Sequence, residues 1–164
     1  MEGIRSMIVP VDFGSHAEKL ADFACYMANK LNAKPTFVHV VRTVPDVTDF
    51  DAEISAQLEG QILLLAEQKM TAFMKAIKKK FLECEGDILR GDIVDAIIAY
   101  AKEKNADLIV ISTHGAKGIE KILLGSVADR VIKGAPCPIL VFNPFKNERG
   151  YEVCSPLTSC VPPM

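Results

Sequence analysis

Short aliphatic runs alternate along this chain with longer amphipathic stretches. "SMIVPVDF" (Ser6–Phe13) is β-branched, apolar and closed by Asp12, which predicts a buried strand. In the following "SHAEKLADFACYMANKLNA", Ala17, Leu20, Ala21, Ala24, Met27, Ala28 and Leu31 recur at helical spacing. Ser15 and Glu18 have the spacing of a capping box, and Asn32 suits a left-handed helix end. "KPTFVHVVRTV" (Lys34–Val44) predicts a second strand, and the polar "PDVTDFDAE" an excursion. A long helix is expected from Ala52 to Phe81, with Leu63, Ala66, Met70, Phe73, Met74 and Ile77 as its apolar stripe. The lysines at its end, Lys78 to Lys80, suit the helix dipole.

"CEGDILRGD" carries a weak third strand, interrupted by Gly86. "DIVDAIIAYAKEKNA" predicts an amphipathic helix that turns Ile93, Ala96, Ile97 and Ala101 inward. "ADLIVIST" is nearly continuous in its apolar character, as a parallel strand covered on both faces requires. Gly125 to Gly134 reads as the last helix and "CPILVF" as the last strand.

Strands alternating with helices imply a parallel α/β sheet with helices on both faces. Right-handed crossovers then point to a doubly wound, five-stranded sheet. The 164 residues suit one domain, placed at 1–143. The stretch 144–164 contains four prolines and little periodicity, and is expected to be an appended tail.

Composition narrows the partners. The net charge of -2 and pI of about 5.9 argue against a basic nucleic-acid surface. No apolar run reaches the roughly 18 residues that a membrane span needs, and the N-terminal stretch lacks the apolar core of a signal peptide. Neither nucleic acid nor membrane is expected as a partner. Five cysteines occur without a CxxC, and His16, His39 and His114 are far apart. That pattern argues against a zinc site or disulfide framework and for free thiols in the cytoplasm.

In an open parallel sheet, ligands bind beyond the carboxyl ends of the strands, where the strand order reverses. With the order 3-2-1-4-5, the first and fourth strands flank that point. Asp12, Val40–Val41 and Ser112 lie at strand ends. After the fourth strand, "STHGAKGIEKILLGSV" contains Gly115, Gly118 and Gly125. Glycines let a backbone approach phosphate oxygens, and successive amides make an anion-binding concavity. Gly125-Ser126 opens the last helix, where unpaired amides and the dipole favour negative charge. A plain strand-to-helix turn explains the same glycines equally well, and turn amides explain Asp12. The chain has no GxxxxGK[ST] and no GxGxxG after the first strand, where it reads "DFGSHAEK". That stretch also lacks the HIGH-like and SGGxDS-like motifs of related adenine-binding enzymes. No Ser/His/Asp constellation is evident.

One spacing is more specific. Gly-x2-Gly-x9-Gly followed by Ser or Thr is reproduced with Ser112 in place of the first glycine, Gly115 as the second, the nine residues Ala116 to Leu124, and Gly125-Ser126. On this motif the sequence resembles the ATP-binding branch of the universal stress protein family, over about Ile4 to Phe142. The resemblance implies an adenine nucleotide alpha hydrolase-like fold that binds ATP, with Mg or Mn carried on the phosphates. It places Pro10, Val11 and Asp12 beside the adenine, and Val40 at its edge. Ser112, His114 and Gly115 would lie beneath the ribose and phosphates, with Lys117 adding charge. Gly125, Ser126 and Val127 would hold the phosphates. It further implies a cytoplasmic stress-response module with at most slow hydrolysis, a homodimer through the last strand, and an unknown protein partner. The alternative is a dimeric interaction module of the same fold that binds no nucleotide. Ser112 departs from the motif: its Cβ restricts positive φ, so the backbone at this position decides what the departure costs.

Overall fold

A computed structural model describes residues 3–43, 52–114 and 124–146. The element order is β1 (Ser6–Pro10), α1 (Ala17–Leu31), β2 (Lys34–Val41), α2 (Ala52–Lys78), β3 (Glu85–Arg90), α3 (Ile93–Glu103), β4 (Leu108–Ser112), α4 (Ser126–Gly134) and β5 (Ile139–Phe142). The strands form one parallel sheet in the order β3-β2-β1-β4-β5. The doubly wound α/β architecture read from the sequence is the one observed.

Successive side chains of a strand point to opposite faces, and β1 shows what that achieves. Met7 and Val9 enter a core with Leu20, Ala24, Met70, Met74 and Ile77, beneath α1 and α2. Ile8, between them, enters a second core with Val94, Ile97, Ala128 and Val131, beneath α3 and α4. The first two crossovers therefore cover one face and the last two the other. The winding direction reverses between β1 and β4, and a crevice opens there.

Local chemistry explains the ends of the elements. Beyond Pro10 the Val11 amide still donates to the Val38 carbonyl at 2.8 Å. The chain then turns: the Asp12 carboxylate accepts from the Gly14 amide at 2.8 Å, and Phe13 takes φ 57°. The turn places His16, not Ser15, at the N-cap of α1, and no side chain caps that helix among the described residues. The capping box expected of Ser15 and Glu18 is therefore not formed. At the other end Asn32 is left-handed, with φ 54°.

Gly86 does not interrupt β3. A Cβ there would lie 2.7 Å from Met74 Cγ and 2.9 Å from Met70 Sδ, so the glycine lets α2 pack flush on this edge strand. All six positions expected for the apolar stripe of α2 turn inward. Ala66, Met70, Met74 and Ile77 are buried, Leu63 and Phe73 half-buried, and Ile54, Leu58, Ile62, Leu64 and Leu65 exposed. Cys25, Cys84 and Cys137 are free thiols; Cys154 and Cys160 lie outside the described residues. Among the described residues, no helix is long and apolar enough to cross a membrane.

Candidate functional site

The carboxyl ends of β1, β2 and β4 and the N-termini of α1, α3 and α4 enclose a cavity of about 560 Å³. That volume suits a small organic ligand, for which pockets of about 300–1,000 Å³ are typical. β1 and its turn contribute Pro10, Val11 and Asp12; β2 contributes Val40; the end of β4 contributes Ser112 and His114. α4 contributes Gly125, Ser126 and Val127. Nine residues singled out in the sequence thus line one cavity. Gly115 and Lys117 lie outside the described residues.

The β2 side is largely apolar, with Val38, Val40, Ile93 and Ile97 on its walls. His39 enters from the same strand, where its Nδ1 donates to the Val11 carbonyl at 2.8 Å. A carbonyl can only accept, so this bond keeps a proton on Nδ1 and fixes the ring. The Phe13 ring covers that imidazole, with centroids 4.4 Å apart. Asp12 is the one carboxylate among the described lining residues, and the Gly14 amide holds it in place.

Ser112 is the last residue of β4 and pairs in register with Phe142 of β5. It is not among the described residues with positive φ, which are Phe13, Asn32, Asn105 and Gly91. An ordinary strand backbone accepts a Cβ, so serine is accommodated here without strain. Its hydroxyl accepts from the His114 amide at 3.3 Å.

Gly125 is the N-cap of α4, and its amide donates to the Thr113 carbonyl at 2.7 Å. Its φ is -70°, so the glycine answers to a close approach rather than to a left-handed backbone. A Cβ would lie 3.0 Å from the Thr113 oxygen. The two cavity-facing ends of α3 and α4 differ. Asp92 caps α3, accepting from the Val94 and Asp95 amides. Those bonds, that of Asp95 foremost, hold its carboxyl below the usual carboxylate range. α4 has no side-chain cap among the described residues. Its first-turn amides, with roughly half a positive charge from the helix dipole, have no partner among the described residues and can take an anion.

The β4 side holds two groups that the sequence reading passed over as site residues, Thr113 and His16. Thr113 Oγ1 lies 2.6 Å from His114 Nδ1. His114 Nε2 and His16 Nδ1 are buried and without a hydrogen-bond partner among the described residues. An unpaired buried polar atom costs about 1–3 kcal/mol, so each is a departure that calls for a reason. Of the residues passed over, His39 had a visible signal, since it is polar in an apolar strand. Arg42, His16 and Phe145, which meets His16 and His114, had none.

A sequence model of the universal stress protein family matches residues 3–143. A universal stress protein of Methanocaldococcus jannaschii is 34% identical over 145 residues, covering 88% of this chain and 85% of its own length. The solved structure of universal stress protein UspA from Lactobacillus plantarum superposes with a TM-score of 0.75 at 23% identity, covering 87% of this chain and 99% of that one. A universal stress protein solved in complex with cAMP is 26% identical with a TM-score of 0.56, covering 87% of this chain and 99% of that one.

Proposed function

The chain belongs to the universal stress protein family, and from that premise we propose that it is an ATP-binding regulatory module. The observation that carries this reading is the convergence of nine candidate residues on one cavity at the switch point. Its β2 side offers apolar walls for an adenine. Its β4 side offers the uncapped N-terminus of α4 for phosphates. The relative solved with cAMP supports an adenine nucleotide as the ligand class.

In this reading Pro10, Val11, Asp12 and Val40 surround the base. Ser112 and His114, with Gly115, lie under the ribose and phosphates. Gly125, Ser126 and Val127 hold the phosphates, and Lys117 adds charge. Mg or Mn would travel on the phosphates and neutralise them. Hydrolysis would be slow at most, because the lining carboxylate, Asp12, is engaged by a turn amide. The protein would act in the cytoplasm, as a homodimer joined along β5, and signal its nucleotide state to a protein partner. Val141 on β5 and Ile132 on α4 are each 40% exposed, which suits that role for the edge. Residues 1–143 would form the domain and 144–164 its tail.

The test is to purify the protein, denature it by heat and identify the released nucleotide. ATP in the supernatant, or a thermal shift on added ATP, is the expected result. No released nucleotide together with no shift would favour the nucleotide-free interaction module.

A further inference from the structure

His16 and His114 come from different elements and meet the same aromatic ring. Phe145 stands edge-on to both, at centroid distances of 4.7 Å from His16 and 4.8 Å from His114. His114 is only 6% exposed. Its Nδ1 is held by the Thr113 hydroxyl, which can donate to it and so leave the ring proton on Nε2. That Nε2, and His16 Nδ1, are the two unpartnered buried side-chain atoms among the described residues. Both histidines line the cavity, on the side where α4 begins. His16 is itself the N-cap of α1, the second helix end here that no side chain caps.

We propose that His16 and His114 form a recognition pair for the phosphoryl groups of the bound nucleotide, and that Phe145 is the cover those groups displace. This rests on the cavity being an adenine-nucleotide site. A hydrocarbon ring satisfies neither imidazole nitrogen, whereas a phosphoryl oxygen accepts from His114 Nε2–H and from His16 in the tautomer that carries its proton on Nδ1. Two uncapped helix ends add positive potential at the same place. The β2 side, walled by Val38 and Val40, offers the base its apolar surroundings and leaves the β4 side to the anion. His16 would then be a specificity-determining residue, separating nucleotides by their phosphates rather than by their base.

Isothermal titration of the full chain with ATP, AMP and adenosine tests this, using wild type, His16→Leu, His16→Asn and Phe145→Ala. His16→Leu should weaken ATP by about tenfold or more, the scale of one hydrogen bond to a charged group. Adenosine binding should stay within about twofold, because the base site is untouched. His16→Asn, whose amide nitrogen can replace Nδ1, should recover part of the ATP affinity. Phe145→Ala should tighten ATP relative to adenosine. Thermal melts without ligand identify any variant that has not folded, and His16→Asn then carries the test. Equal losses for ATP and adenosine, or none, would overturn the pair. Unchanged ATP affinity in Phe145→Ala would overturn the cover. A wild type that binds adenosine without preferring ATP would overturn the pair and leave the adenine site standing. A wild type that binds none of the three would overturn both.

Discussion

The Gly125 amide donates to the Thr113 carbonyl at 2.7 Å, and the same oxygen would lie 3.0 Å from any Cβ at Gly125. One contact thus ties the end of β4 to the start of α4 and forbids a side chain at the joint. Gly125→Ala must push a backbone carbonyl aside. It should cost about 1–3 kcal/mol, as overpacking does, and weaken ATP binding with it. Urea denaturation and nucleotide titration read the two effects. Wild-type values in both would show that the joint has slack.

Ser112 has an ordinary strand backbone, which gives the missing motif glycine a measurable meaning. Ser112→Gly should not tighten ATP, since no positive φ is waiting to be relieved. It should instead lower stability by about 0.5–1 kcal/mol through the greater freedom of the unfolded chain. A several-fold gain in ATP affinity would mean that the serine side chain obstructs the ligand.

At Gly86 a side chain would meet Met74 Cγ at 2.7 Å and Met70 Sδ at 2.9 Å. Gly86→Val should lower stability by about 1–3 kcal/mol, even though valine favours strands. Chemical denaturation decides between packing and propensity: a stabilised variant would show that α2 can shift freely over β3.

Two carboxylates, the exposed Asp92 and the half-buried Asp107, make stability depend on pH. The Asp95 and Val94 amides lower the pKa of Asp92, and the Arg5 and Ser6 amides that of Asp107. A depressed folded pKa means that the unfolded chain binds protons first. The contribution is present above the ordinary aspartate value, about 3.9, and is lost as pH falls through the folded values. The urea midpoint should therefore fall from about pH 6 to pH 3, and fall less in Asp92→Asn/Asp107→Asn. Parallel profiles would exclude these two groups as the source.

Burial pushes the Cys25 thiol up to about 12, helped by nearby Cys84 and Asp22. The thiol, not the reactive thiolate, is the native form. Cys137 is half-buried and its pKa is also raised by burial. In native buffer, iodoacetamide should modify Cys137 well before Cys25, as mass spectrometry of the peptides would show. Equal rates would mean that the core beneath α1 opens readily.

The order of elements was legible because aliphatic runs and helical spacing report burial directly. The switch-point location followed from that order; of the glycines after β4, Gly125 lines the cavity there, and Gly115 and Gly118 lie outside the described residues. Other features depend on contacts between distant segments. Gly86 looks like a strand breaker until Met70 and Met74 are placed over it. Ser15 and Glu18 match a cap locally, but the Asp12–Gly14 turn starts the helix after His16. Phe145 stands in a stretch without periodicity, so nothing nearby announces its contact with His16 and His114.

The junction of β1 and β4 has a consequence for how the protein is made. Met7 pairs with Leu108 and Ile8 with Ile109, while the Arg5 and Ser6 amides reach the Asp107 carboxylate. At about 5–20 residues per second, a ribosome needs about 5–20 s to make the hundred residues between the two strands. During that interval β1 can pair with β2 but must wait for its other neighbour. The cavity spans that junction and takes in the start of α4, so it comes into being only once β4 and the beginning of the last crossover have been made.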